Sequence, residues 1–350
     1  MTGNHLLNEI MEEPEVLRRI VRAYVEQSNP ALQAAADLLR RSDPVIMAGM
    51  ATSEYGCYGA SSLLARAGKT NFVYDVSELL YYYLGALKSG SCLVAVSQSG
   101  NSAEIVHILQ TLNRRVPVVG IYNYEDSYLA QNCDLGLPML AGPQLACGSK
   151  TNLATVGVLL LLAEATLGRD VRTAGNRLLA LVESLDRLAQ SWEERLTPAA
   201  DFLEGAPYTV FLGRGPGRAT AMFSATLFRE VPKVVAEGMS AAAFRHGLRE
   251  MIRPEHRVVI LAPAGETHDL CIGIARDTLA LGVPVMVVTN RSIDLDPDKK
   301  LHVVYTEPHD EYGACLLDMA VLQLVGYLLA KRRGLEPGVL TVSTYVTTVE

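Results

Sequence analysis

Residues 94–105 read VAVSQSGNSAEI, an apolar run that ends in Ser97, Gln98, Ser99 and Ser102 around Gly100. Glycine permits a tight turn, and the following AEIVHILQTL has the apolar spacing of a helix. Hydroxyls, one amide and the free N–H groups of a helix's first turn can hold a phosphate without lysine or arginine. Ser102 can equally act as a plain helix cap, and for this turn alone both roles stand. Two further strand ends carry the same chemistry. Thr52 and Ser53 in GMATSEYG follow one apolar run, and ACGSKTN, with Cys147 and Ser149, opens an apolar helix. Three hydroxyl-rich strand ends in one domain exceed what capping requires.

Two titratable residues suit proton transfer. Glu230 ends the helical ATAMFSATLFRE, and Pro232 stops that helix because its ring forbids continuation. Buried beside a ligand, such a carboxylate has a raised pKa fit for a general base; exposed, it is an ordinary helix-end charge. His246 lies in AAAFRHGLRE, next to Gly247 and after small residues that allow close approach. An imidazole there suits an acid for a ring oxygen, with a surface role as the alternative.

The elements that must position these groups alternate along the chain. VIMAGM, TNFVYDV, CLVAVS and VPVVGIYN are short and β-branched, with helix-length segments such as SSLLARAG and SAEIVHILQTLNRR between them. Strands apolar on both faces and separated by helices belong to a parallel sheet covered on both sides. The pattern then recurs: Gly49 pairs with Gly213, Gly100 with Gly265 and Asn123 with Asn290, at offsets of 164, 165 and 167 residues. A duplicated α/β domain follows. The division is an N-terminal helix over 1–34, a first domain over 35–170, a connecting helix over 171–199, a second domain over 200–333 and a tail over 334–350. Where the first copy has SQSGNS the second has APAGET, with Pro263 and Ala264 in place of Gln98 and Ser99. The turn survives without its hydroxyls, which leaves one phosphate site per chain, in the first copy.

Composition narrows the rest. At 350 residues and 49% hydrophobic content the chain exceeds one core, and 31 basic against 38 acidic residues, without basic patches, argue against nucleic acid. The acidic start MTGNHLLNEIMEEPE is unlike a secretory signal, and VGVLLLLAEATLG is shorter than the ~20 residues that span a bilayer. These features predict a cytoplasmic protein with no membrane partner. Six scattered cysteines, none in a CxxC pair, predict reduced thiols, no metal and no cofactor.

MATSEYG, SQSGNSAE, AGPQLACGSK, LFREVPKVVAEGMSAAAFRHG and the terminal TTVE occur in the order found in the sugar isomerase (SIS) domain pair of glucosamine-6-phosphate synthase and its stand-alone relatives. The chain resembles that family over about residues 35–350. The resemblance implies two tandem doubly wound parallel-sheet domains, flavodoxin-like three-layer α/β/α. It implies that Ser97, Gln98, Ser99 and Ser102 hold a sugar phosphate, joined by Thr52 and Ser53, with Ser149 and the Cys147 backbone lining the other side. By the same resemblance Glu230 moves a proton between C1 and C2, and His246 opens the sugar ring from the partner subunit of a homodimer.

There are departures. The glutaminase domain of the synthase has no counterpart here, and its Schiff-base lysine aligns with Tyr345, which cannot form an imine. Leu227 and Ala243 stand where the synthase has charged residues. These departures favour substrates that already carry nitrogen: isomerisation with deamination of an amino-sugar 6-phosphate, or deglycation of a fructosamine 6-phosphate. Plain aldose–ketose isomerisation and a non-catalytic sugar-phosphate sensor are the alternatives. Tyr345 would be a lid residue if the tail folds over the serine turn.

Overall fold

The computed structural model describes residues 4–296 and 300–349. Three helices open the chain, α1 (His5–Met11), α2 (Glu13–Val21) and α3 (Pro30–Arg41), with a short π-helical turn at Arg22–Glu26 before the third. On α2 and this turn, Val16, Leu17, Ile20, Val21 and Tyr24 are buried on one stripe, with Val25 partly buried beside them. The first sheet is built from β1 (Val45–Gly49), β2 (Asn71–Asp75), β3 (Cys92–Ser97), β4 (Val118–Tyr122) and β5 (Leu135–Pro138). Its helices are α4 (Thr52–Arg66), α5 (Val76–Tyr82), α6 (Ala103–Leu112), α7 (Tyr128–Asn132) and α8 (Lys150–Thr166).

The long α9 (Val171–Leu203) leads to β6 (Thr209–Gly213), α10 (Gly217–Glu230), β7 (Ala236–Ser240), α11 (Ala241–Phe244), β8 (Arg257–Leu261), α12 (His268–Ala280), β9 (Val285–Thr289), β10 (Leu301–Tyr305) and α13 (Glu311–Arg332). The strand orders are β2-β1-β3-β4-β5 and β10-β9-β8-β6-β7, all parallel. Read from its other edge, the second order is the first repeated, so the duplication inferred from three spaced matches is a duplication of topology. Both are the doubly wound order in which the chain starts near the centre and winds both ways.

Two compact units form. One holds the first sheet, with residues 13–144, 150–182 and the tail from Val342; the other holds the second sheet, with the N-terminal segment through Glu12, residues 145–149 and residues 183–341. In the first-sheet unit Ile46, Ala48, Leu93, Ala95, Ile105 and Ile108 pack between strands and helices, and α8 is buried along nearly its whole length against α2, α3 and α4. In the second-sheet unit Val210, Leu212, Val258, Ile260, Ile274 and Val287 form the corresponding core. There α13 is long and apolar enough to cross a bilayer, yet every side chain from Ala314 to Ala330 is buried. It is a core helix, packed on α1 and α10.

Candidate active site

In the first-sheet unit the chain leaves β1 for β2 on one side and later returns on the other side of β1 as β3, so the topological switch point lies at the carboxyl ends of β1 and β3. The predicted phosphate ligands stand there. Thr52 and Ser53 form the first turn of α4, reached through Ala51 at a left-handed φ of +46°. Gly49 makes that approach possible, since a Cβ on it would lie 2.7 Å from the Ser53 carbonyl carbon.

The serine turn after β3 is tightly specified. Gly100 has φ +65°, and a Cβ there would overlap the Ser127 side chain. Its carbonyl accepts from Leu129 N–H at 3.0 Å, and Asn101 Oδ1 accepts from Tyr128 N–H at 2.8 Å, so the 127–129 segment clamps the loop. Ser97 Oγ accepts from Gly100 N–H at 3.0 Å and Ser99 Oγ from Asn101 N–H at 3.2 Å. A hydroxyl that accepts from the backbone keeps its own proton to donate, which is what a phosphate oxygen requires. Ser102 occupies the N-cap position of α6 but makes no side-chain cap bond. The capping alternative therefore fails for the residue on which it rested. The tail meets this turn: Ala103 N–H donates to the Thr347 carbonyl at 3.1 Å. Tyr345, two residues earlier, is about half exposed.

The remaining predicted residues lie in the second-sheet unit. α10 packs Phe223, Leu227 and Phe228 inward, and Glu230 ends it half-buried. Burial raises the Glu230 carboxyl above the usual range, partly offset by the Lys233 and Arg229 charges. Cys147 belongs to the same group. Its backbone N–H donates to the Gly338 carbonyl at 3.3 Å, and its thiol is pushed up by burial and then by the negative charges of Glu230 and Glu9. His246 lies exposed on the turn after α11, followed by Gly247 at φ +110°. Its ring forms no hydrogen bond to Glu230 among the described residues.

Ser149 is fully buried and its hydroxyl donates to Glu9 Oε2 at 3.1 Å. Glu9 Oε1 also takes the Leu145 and Ala146 N–H groups, the latter at 3.1 Å. The hydroxyl predicted to face a ligand thus anchors the 145–149 loop to α1 instead. Sequence reading passed over Glu9, although it shares a buried face with Leu6 and Ile10, and a carboxylate on an apolar face was the signal available. Glu9→Ala leaves three donors without their acceptor. A loss of about 3 kcal/mol in a urea titration is expected, since each buried unsatisfied group costs ~1–3 kcal/mol.

The second copy's turn is retained with different contents. Ala264 N–H donates to Asn290 Oδ1 at 2.6 Å, and Asn290 Nδ2 donates to the His309 carbonyl at 2.9 Å. A Cβ on Gly265 would lie 2.7 Å from Glu311 Cδ, so a carboxylate rests against the turn that in the first copy is lined by hydroxyls.

Comparison with known proteins agrees with this architecture. The glutamine–fructose-6-phosphate aminotransferase (isomerizing) of Pyrococcus horikoshii is 29% identical over 342 residues, covering 95% of this chain and 55% of that protein. The chain thus spans about half the length of the curated relatives it matches. Among solved structures, the C-terminal domain of glucosamine-fructose-6-phosphate aminotransferase from Francisella tularensis superposes with a TM-score of 0.83 at 19% identity, over 94% of this chain and 96% of that one. Glucosamine-6-phosphate deaminase from Thermotoga maritima gives a TM-score of 0.74 at 17% identity, over 98% and 99%. The SIS domain model matches twice, at residues 38–165 and 203–331, one copy on each parallel sheet. This chain therefore belongs to the SIS domain family, as two tandem copies.

Proposed function

We propose that this chain binds a phosphorylated amino sugar or fructosamine at the serine turn and isomerises it, with deamination or deglycation, by moving a proton between C1 and C2. The observation that carries this reading is the Glu230 carboxyl, half-buried at a helix end and held above the ordinary carboxylate range by burial. A base with that poise removes a proton next to a carbonyl or iminium carbon more readily at neutral pH than a solvated glutamate does. The names of the relatives, a hexose-phosphate aminotransferase and an amino-sugar-phosphate deaminase, support the substrate class.

In this reading the Ser97, Ser99 and Ser102 hydroxyls donate to phosphate oxygens, with Thr52 and Ser53 beside them at the switch point. Glu230 takes the proton to give an enediolamine and returns it to the neighbouring carbon. His246 is the acid for ring opening or amine departure, and its exposure suits service to a second copy in a homodimer. Tyr345 contacts the sugar as part of the tail. A substrate that brings its own nitrogen requires no imine with the protein, consistent with a phenol at position 345.

Incubation with glucosamine 6-phosphate and with fructosamine 6-phosphates, following release of ammonia or free amino acid, tests the reading. Release from either substrate class is the expected result. Aldose–ketose interconversion without nitrogen release would assign plain isomerisation. Phosphosugar binding with no turnover on any of them would sink catalysis and leave a binding protein.

A further inference from the structure

We propose that Lys233 is the positioning residue of the Glu230 base: its ammonium, held between the Glu230 and Val339 carbonyls, fixes the end of α10 and supplies the positive charge against which Glu230 works as a carboxylate. The inference rests on reading Glu230 as that base.

The geometry is specific. After Pro232 the backbone turns back through Lys233 at φ +54°, a left-handed conformation that a non-glycine residue adopts only at a cost. The turn brings Nζ to the Glu230 carbonyl and, at 2.9 Å, to the carbonyl of Val339, 106 residues away. A cation at this point also meets the negative end of the helix dipole. Two of the three ammonium protons are taken by those carbonyls, and the third has no partner among the described residues. Val339 follows Gly338, whose carbonyl accepts from Cys147 N–H and whose Cα is packed on Leu6 and Ala146. Lys233 therefore ties the base to the stretch that also holds the Cys147 loop. The groups whose charges face Glu230 are Lys233 and Arg229, both favouring the carboxylate, and the Cys147 thiol, which has Glu9 as its other acidic neighbour. Arg229 is exposed, so its charge is the more screened of the two.

A lysine that only capped the helix would contribute stability and leave the titration of Glu230 alone. The two roles separate in Lys233→Gln, which keeps an N–H donor for a carbonyl but loses the charge, and in Lys233→Arg, which keeps the charge. Protein labelled with 13C at the glutamate carboxyl is titrated by NMR, and the Glu230 signal is assigned by its disappearance in Glu230→Gln. The midpoint is expected to move up in Lys233→Gln and to return in Lys233→Arg. In kinetics on the substrate identified above, the acid limb of kcat/KM should move up with it. The fall in rate should be several-fold, confined to the acid side, with KM unchanged. A Glu230 midpoint identical in wild type and Lys233→Gln overturns the proposal. If Lys233→Gln does not fold, the same comparison is made with Lys233→Met. Should the wild type turn over no phosphosugar, the function reading fails while the NMR titration still decides the role of Lys233.

Discussion

Glu230→Gln is expected to lower kcat by about 10²–10⁴-fold while KM stays near the wild-type value, the size of effect associated with a positioned general base. Glutamine keeps the shape of the helix end but cannot take a proton. A raised KM with kcat unchanged would instead point to a binding role and remove Glu230 from the chemistry. The pH dependence has a definite sign. Glu230 acts as the carboxylate, so activity falls as pH falls through its raised pKa, and the acid limb lies above that of a solvated glutamate. Stability runs the other way. A carboxyl whose pKa is raised in the folded chain contributes stability that is fully present below its unfolded pKa and is lost as pH rises through the folded one. Glu230→Gln should therefore be more stable than wild type at neutral pH, with the difference vanishing in acid. Urea titrations at two pH values measure it, and an inactive but stabilised variant would mark strain kept for function.

Gly100→Ala is expected to cost about 2–5 kcal/mol and to abolish sugar-phosphate binding. The left-handed backbone accounts for about 1–2 kcal/mol and the overlap with Ser127 for a further ~1–3 kcal/mol. Relief of that overlap displaces the turn, and with it the Ser97 and Ser99 hydroxyls that the Gly100 and Asn101 N–H groups orient. Adding Ser127→Gly removes the colliding atoms and should recover part of the stability, a coupling that thermal melts of the four variants would read directly. If the double variant is no more stable than Gly100→Ala, the collision is not the cause.

The sheets and the serine turn were legible because their signals are local. An apolar run of five or six residues, a glycine that needs φ above zero and a helix pattern behind it all lie within about 15 residues of one another. The recurrence at a spacing of about 165 residues then assigned both domains at once. What stayed hidden depends on partners remote in sequence. Glu9 and Ser149 are 140 positions apart, Lys233 and Val339 are 106 apart, and Ala103 meets Thr347 at the far end of the chain. No periodicity links such pairs, since each depends on how separate elements fold back together. For the same reason Ser149 read as a ligand. Its hydroxyl was visible in the sequence, but the buried acid that takes it was not.

The Glu311 carboxylate resting against Gly265 bears on how many ligands one chain can carry. An incoming phosphate would meet the Glu311 side chain at that turn, whereas the first copy's turn offers the Ser97 and Ser99 hydroxyls. Equilibrium titration with a sugar phosphate should accordingly saturate at one equivalent per polypeptide. The duplicated scaffold is thus asymmetric in what lines its two turns while remaining symmetric in topology.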